Sequence, residues 1–256
     1  MSSDAIRVTV TDHVAVVTID RPDVRNAIDR PTALALEKAI DDAESDPDVR
    51  VIVLAGSGSV FCAGMDLKAF SATGERPITD RRGAFGIAEV PPNKPTIAAV
   101  EGKALGGGFE IALAADLIVA ADTAMFGLPE VKRGLVAAAG GLLRLPRRVP
   151  RNVALHMTLT GEPITAIQAQ ALGLVTDVVA EGMATKAALD LAATIAANAP
   201  LAVRASKQII TESDDWTVSD MFERQGRITS VVRSSSDAAE GARAFVEKRS
   251  PVWSGK

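Results

Sequence analysis

Short runs that are apolar at every position, set between helix-patterned stretches, constrain this chain more than any other feature. In Arg50-Val51-Ile52-Val53-Leu54 the four residues after the arginine are apolar in succession and mostly β-branched, the pattern of a strand covered on both faces. Residues 96–100 and 117–121 read the same way, with the glycine loop Gly106-Gly107-Gly108 and a short helix between them. Residues 6–10 and 14–19 are also strand-like, and Thr11-Asp12-His13 between them suits a hairpin with a three-residue loop. Beyond the turn Arg21-Pro22-Asp23, residues 31–43 place Ala33, Leu36, Ile40 and Ala43 at helical intervals, with Asp29 or Arg30 ahead of an early proline. Strands alternating with helices in this order predict an α/β fold.

The remaining stretches fill in the organisation. Residues 71–82 are polar and Pro91-Pro92-Asn93-Lys94-Pro95 is a stiff breaker, so a surface loop bracketing a short helix is expected there. From about Pro150 the pattern is helical, with one strand-like interruption at residues 174–179, and no internal repeat is visible. At 256 residues and 47% hydrophobic, the chain can bury a large core as one domain, or as one domain with a small appendage. A single cysteine, Cys62, excludes a disulfide within the chain and any multi-cysteine metal site. A net charge of −4, no tyrosine and 4% aromatic residues argue against a nucleic-acid partner, because neither a basic surface nor a base-stacking platform is available. The opening MSSDAIRVTV lacks a basic stretch followed by an apolar one, so no signal peptide is expected. Residues 134–143, the longest apolar-looking run, are broken by glycine and far short of the roughly 20 residues of a membrane helix, so no membrane partner is expected either. The expectation is a soluble, cytoplasmic protein.

Several motifs fail on inspection. Gly56-Ser57-Gly58 follows a strand, but Phe61 stands where a dinucleotide-binding turn needs its third glycine. No glycine loop ends in Lys-Ser or Lys-Thr, and the two histidines, His13 and His156, neither pair as metal ligands nor sit beside a serine elbow. Cys62, between Phe61 and Ala63, is in an apolar setting that favours packing over nucleophilicity.

Three segments remain that join small residues to carboxylates: Phe61-Cys62-Ala63-Gly64-Met65-Asp66-Leu67, then Gly106-Gly107-Gly108-Phe109-Glu110, then Phe126-Gly127-Leu128-Pro129-Glu130. Small residues let backbone N–H groups approach a ligand oxygen. Asp66 is placed to cap a helical turn over residues 67–70. If residues 108–115 form a helix, Gly107 lies at its start, where free N–H groups favour developing negative charge, and Glu110 falls in the same first turn. Glu130 comes from a separate segment and can reach the same spot from another side. Two such carboxylates can divide acid and base roles, since burial and mutual repulsion separate their proton affinities.

Together these segments resemble the enoyl-CoA hydratase/isomerase, or crotonase, family, and the likeness covers nearly the whole chain, from the Arg21-Pro22 turn with Arg25-Asn26-Ala27 to the C-terminal Glu240-Gly241-Ala242-Arg243-Ala244-Phe245-Val246-Glu247-Lys248-Arg249. The resemblance implies an α/β fold built as a spiral of β-β-α units over residues 1–195, with a C-terminal helical region, residues 196–256, that mediates trimerisation, trimers pairing into hexamers. It implies an oxyanion hole from the backbone N–H groups of Ala63 and Gly107, and catalytic glutamates at Glu110 and Glu130 flanking a water molecule. Arg25, Ala27, Cys62, Gly64, Met65, Asp66, Leu67, Lys68 and Gly106 match positions along the CoA thioester, and Phe245 and Lys248 match residues that reach the CoA site, in some relatives that of a neighbouring subunit. No metal and no cofactor are implied, coenzyme A being part of the substrate. The reaction implied is hydration of a trans-2-enoyl-CoA, as in β-oxidation of fatty acids. Isomerisation of an enoyl-CoA and a dehydration like that of carnitinyl-CoA dehydratase are the alternatives, and a catalytically silent trimeric scaffold is the reading from a different class. One departure is Val136-Ala137-Ala138-Ala139-Gly140-Gly141, where many hydratases carry Pro-Gly; an alanine at 138 resists positive φ, which predicts a reshaped wall near Glu130.

Overall fold

The computed structural model describes residues 5–256; Met1–Asp4, part of the opening stretch examined for a signal peptide, lie outside them. The chain begins with strands β1 (Ile6–Thr11) and β2 (Val14–Ile19), paired antiparallel with Thr11 opposite Val14. The hairpin loop is therefore the two residues Asp12 and His13, not the three expected. Both have positive φ, 48° and 67°, the mirror-image turn whose twist matches a two-residue hairpin. Helix α1 (Arg30–Ser45) follows, and the Asp29 side chain caps it by accepting from Thr32 N at 2.9 Å. Its faces separate as the sequence implies: Ala33, Leu36, Ala39, Ile40 and Ala43 are all buried. Asp29→Ala removes the cap and is expected to cost about 1 kcal/mol, read as a lowered melting midpoint.

Strand β3 (Val51–Gly56) leads through a long loop to α2 (Leu67–Thr73), a small hairpin of β4 (Ile78–Thr79) and β5 (Gly83–Ala84), then β6 (Thr96–Val100), β7 (Lys103–Leu105) and α3 (Gly107–Ala114). Next come β8 (Leu117–Ala121), β9 (Met125–Gly127), a 3-10 turn at Pro129–Arg133, α4 (Gly141–Arg148) and α5 (Arg151–Thr160). The rest is β10 (Ile164–Thr165), α6 (Ala166–Ala171), β11 (Asp177–Val179), α7 (Ala184–Ala196), α8 (Pro200–Glu212), a 3-10 turn at Ser213–Asp215, α9 (Met221–Arg233) and α10 (Ser236–Glu247).

The main sheet has the order β1-β2-β3-β6-β8-β11, parallel from β2 onward, and a second sheet, β10-β9-β7, pairs β7 with β9 in parallel. Strand, strand, then helix repeats as β6-β7-α3 and again after β8-β9, and each of these two turns contributes one strand to each sheet. The unbroken apolar runs are explained by burial on both faces. Ile52 and Leu54 of β3 enter the core beneath α1 and α3, while Val51, Val53 and Ala55 meet Ala188, Ala192 and Ala196 of α7. Each fully buried Ile or Leu contributes about 2 kcal/mol. The alanines of α7 recur every fourth residue, giving the flat stripe that lets the helix lie close to the sheet.

The segment before β6 departs from expectation. No helix lies between α2 and β6, and residues 85–88 are buried. Acidic residues of α1 gather it: Arg82, only 3% exposed, pairs with Asp41 at 2.7 Å and donates to the Val90 carbonyl at 2.7 Å, while Glu37 accepts from Arg82 N and the Thr79 hydroxyl. No helix among the described residues is long and apolar enough to cross a membrane.

Candidate active site

The turn at residues 21–29 and the loop at 56–66 are built against each other. Buried Asn26, at φ 56°, donates to the carbonyls of Ser57 (2.9 Å) and Val60 (2.6 Å). Arg21 binds Asp29 at 3.0 Å and Asp66 at 3.2 Å and donates to the Ala27 carbonyl. Ile28 N donates to Gly64 O and Asp66 N to Ile28 O, at 2.8 and 2.9 Å, which fixes the path of residues 64–66. Ala63 N donates to Arg25 O at 3.1 Å. That hydrogen is committed, which removes Ala63 from the oxyanion role the resemblance implied. Two residues on, the Met65 N–H has no protein acceptor among the described residues.

Gly64 lies against the start of α3: a Cβ there would stand 3.0 Å from Gly107 N. The helix is capped by Gly106, held at φ 55°, and Gly107 N likewise has no protein acceptor among the described residues. A Cβ on Gly107 would overlap the Phe85 ring at 2.1 Å, and one on Gly108 would meet Cys62 O at 2.0 Å. The triplet is thus a place where backbone from two directions must touch, and two unpaired amides, Met65 and Gly107, border the contact.

One turn into α3, Glu110 is 3% exposed. Its Oε1 accepts from Ala139 N (2.7 Å) and Gly141 N (2.9 Å), and no protein donor among the described residues meets Oε2. Burial raises its pKa; the Gly141 and Ala139 amides and the Arg144 charge pull the other way and do not cancel it. Glu130, in the 3-10 turn, comes to the same place: its Oε1 lies 3.2 Å from where a Cβ on Gly106 would be. Its Oε2 is buried without a partner, and burial together with the charge of Glu110 raises its pKa. Expressed as proton affinity, the anion of Glu110 is supported by two amides and a cation, while Glu130 has an orphaned oxygen suited to carrying a proton. Within residues 136–141 the positive φ falls on Gly140 (90°), not on Ala138, so no alanine there has to adopt the left-handed backbone that favours glycine.

Other expected site residues divide. Gly106 and Gly64 border the carboxylates and the amides; Met65 is partly exposed and Arg25 exposed on the adjoining loops, and Leu67 and Lys68 are exposed on the first turn of α2. Cys62 is wholly buried, its N donates to Lys103 O, its O accepts from Leu105 N, and burial pushes its thiol up to about 12. It packs and cannot line a ligand with its side chain, a correction to the sequence expectation. Asp66 is likewise spent: it caps α2 by accepting from Lys68 N and Ala69 N at 3.1 and 3.0 Å and pairs with Arg21. Ala27 is buried and its carbonyl serves Arg21. Phe245, 85% exposed, and Lys248 end α10, which packs on α9 and on the chain end through Asp237 with Ser254 and Glu240 with Arg249; within one chain they are not gathered with the carboxylates. His13 sits in the β1–β2 turn, bonded to the Asp48 carbonyl, and takes no part. The sequence assigns no role to Asn26, quoted only within Arg25-Asn26-Ala27, and none to Phe85 or Arg144.

Residues 9–256 match the family model described as Enoyl-CoA hydratase/isomerase. The chain belongs to the enoyl-CoA hydratase/isomerase family. It is therefore an enzyme of α/β crotonase fold. It is 41% identical to a carnitinyl-CoA dehydratase of Salmonella typhi, covering 99% of this chain and 100% of the relative. Among solved structures, a probable enoyl-CoA hydratase/isomerase from Mycobacterium abscessus superposes with TM-score 0.95 at 51% identity over 100% of both chains. An enoyl-CoA hydratase from Mycobacterium tuberculosis H37Rv gives 0.96 at 50% identity over 98% of this chain and 99% of that one. A carnitinyl-CoA hydratase from Mycobacterium avium gives 0.78 at 46% identity, with the same coverage.

Proposed function

We propose that this family member hydrates trans-2-enoyl-CoA thioesters. The observation that carries the reading is the pair of inequivalent carboxylates, Glu110 and Glu130, beside two unpaired backbone amides. In this reading the thioester oxygen accepts from Gly107 N–H and, with Ala63 committed elsewhere, from Met65 N–H. Each donor is worth about 3 kcal/mol as the oxygen gains enolate charge. A water on the free Oε2 of Glu110 loses a proton to that carboxylate while its oxygen bonds to Cβ. The electrons of the double bond pass to the enolate, and Glu130 delivers its proton to Cα. One molecule of water has then been added, and a proton moved from Glu110 to Glu130 restores the enzyme. Arg25 and Lys68 are exposed cations at the loop mouth, suited to the CoA phosphates, and coenzyme A enters as part of the substrate with no further cofactor required. The exposed Ile210, Phe222, Val231 and Phe245 on α8–α10 suit burial against further copies of the chain, as a trimer or hexamer whose assembly brings Phe245 and Lys248 to a neighbour's CoA. A cytoplasmic place in fatty-acid breakdown completes the proposal.

The second reading, dehydration of carnitinyl-CoA, is favoured by the name of the Salmonella typhi relative. A quaternary ammonium group is held by aromatic faces or carboxylates. The chain has no tyrosine; Trp253 is tied to the Ala197 carbonyl, and the Phe70 ring already faces the Arg76 guanidinium at 6.0 Å. An absorbance assay separates the two. Crotonyl-CoA is expected to be hydrated with kcat/KM at least about tenfold above that for crotonobetainyl-CoA, the low end of what one added group in a pocket discriminates. The reverse order establishes the second reading, and turnover of neither shifts the assignment to double-bond isomerisation.

A further inference from the structure

Arg144, on the first turn of α4, belongs to no part of the mechanism above, yet it stands between its two halves. Its side chain folds back over the start of its own helix, as helical side chains do. Its Nη1 comes so near Gly140 that a Cβ there would lie 2.2 Å away, and its Nη2 donates to the Ala88 carbonyl at 2.6 Å. The backbone it lies on is the one that holds the base: Gly141 N and Ala139 N bind Glu110, and a Cβ on Gly141 would stand 3.0 Å from the Glu110 Cγ. The segment it reaches is the one that packs against Gly107, the residue carrying the oxyanion amide. Phe85, three residues before Ala88, takes a positive φ of 58° that a bulky side chain adopts only under constraint, and its ring fills the space beside the Gly107 Cα. Gly140 and Gly141 are therefore small for two reasons, one to admit a guanidinium and one to admit a carboxylate.

We propose that Arg144 is a positioning residue that braces the Gly140–Gly141 backbone holding Glu110 against the Phe85–Ala88 segment lying on Gly107, so that base and oxyanion donor keep one spacing. The inference rests on the hydratase reading. Arg144 makes its one direct hydrogen bond among the described residues with a carbonyl, not with a carboxylate, so its charge is left to act on Glu110 across the glycine pair. The charged groups around the base are Arg144 from α4 and Glu130 from the 3-10 turn; Arg133 faces Glu130, and Arg147 faces Arg144. The Arg144 cation favours the ionised base, so its loss moves the acid limb of the kcat/KM profile to higher pH.

The test compares R144M and R144K with the full-length enzyme on crotonyl-CoA, with R147M as a control on the same helix. R144M is expected to lower kcat about a hundredfold, the scale of a misplaced catalytic group, with KM within about twofold and the acid limb displaced to higher pH. R144K keeps the charge but not the planar fork; it is expected to hold the limb in place while kcat still falls about tenfold. R147M leaves both unchanged. An active wild-type enzyme whose R144K and R144M variants retain kcat and the wild-type limb overturns the inference. So does a lowered kcat in R144M with an unmoved limb, which marks a merely structural residue. If R144M does not fold, the neutral R144Q takes its place and is read by the same two quantities, kcat and the acid limb. A wild-type enzyme that hydrates no enoyl-CoA overturns instead the functional reading on which the inference stands.

Discussion

Glu110→Gln is expected to lower crotonyl-CoA hydration by about 10³-fold without unfolding the protein, within the usual range for loss of a general base. The amide oxygen of glutamine can still accept from Ala139 N and Gly141 N, so the loop at 139–141 keeps its place and only proton abstraction is lost. Exchange of the Cα proton of an acyl-CoA with deuterium, followed by NMR, is expected to survive, because that step belongs to Glu130. Glu130→Gln should lose both. A Glu110→Gln enzyme within tenfold of wild type would remove Glu110 from the mechanism. The pH dependence follows from the directions of the shifts. Glu110 must be ionised and Glu130 protonated, and both are raised by burial, Glu130 further by its neighbour's charge. The active window therefore lies above the ordinary carboxylate range, with activity lost at its acid edge as Glu110 protonates and at its basic edge as Glu130 ionises. Stability runs with the opposite sign from a salt-bridged carboxylate. A folded-state pKa above the unfolded value means the native state binds more protons, so stability is fully present below the unfolded pKa and falls as pH rises through the folded one. Neutralising Glu130 is thus expected to raise the melting midpoint at neutral pH while abolishing hydration.

What the sequence reveals and what it conceals follow from range. The β3, β6 and β8 runs are legible because a strand covered on both sides has no polar face, and the glycine-and-glutamate segments are legible because close backbone approach forbids side chains there. The hairpin loop is one residue shorter than its spacing suggests, since pairing of Thr11 with Val14 depends on Asp12 and His13 accepting positive φ, a cost no apolar pattern records. The stretch before β6 reads as surface because arginine and threonine count as polar, yet Arg82 is buried once Asp41 and the Val90 carbonyl satisfy it. The family resemblance puts the oxyanion role on Ala63 by its place in the motif, while the fate of its N–H is decided by the Arg25 carbonyl, in a turn that the Asn26 side chain holds through Arg21 N and the Ser57 and Val60 carbonyls. Arg144 sits in an arginine-rich amphipathic helix and reads as a solvated charge until the Ala88 carbonyl is brought to it. For Arg82, Ala63 and Arg144 the missing information is the partner of a polar group, which is set by tertiary approach and not by the group's own neighbours in sequence.

Gly108→Ala is expected to cost about 3 kcal/mol, at the upper end of overpacking penalties, although alanine is the better helix former. A Cβ on Gly108 would stand 2.0 Å from Cys62 O and 2.6 Å from its carbonyl carbon, and backbone there cannot turn aside as a side-chain tip can. Cys62 is fixed from both sides, donating to Lys103 O and accepting from Leu105 N in the bridge that joins the loop at 56–66 to β7. The helix must therefore retreat, and Gly107 N moves away from Gly64 with it. For a chain of this size the penalty corresponds to a melting midpoint lowered by about 6–12 °C, and the displaced donor to a kcat about a hundredfold lower with the CoA ester still bound. Gly226→Ala, inside α9 with no atom near the new Cβ, measures the helix-propensity term alone and should raise the midpoint, by up to about 1 kcal/mol in stability. If the two alanines behave alike, the packing of α3 against the Cys62 carbonyl is not what holds the Gly107 amide in place.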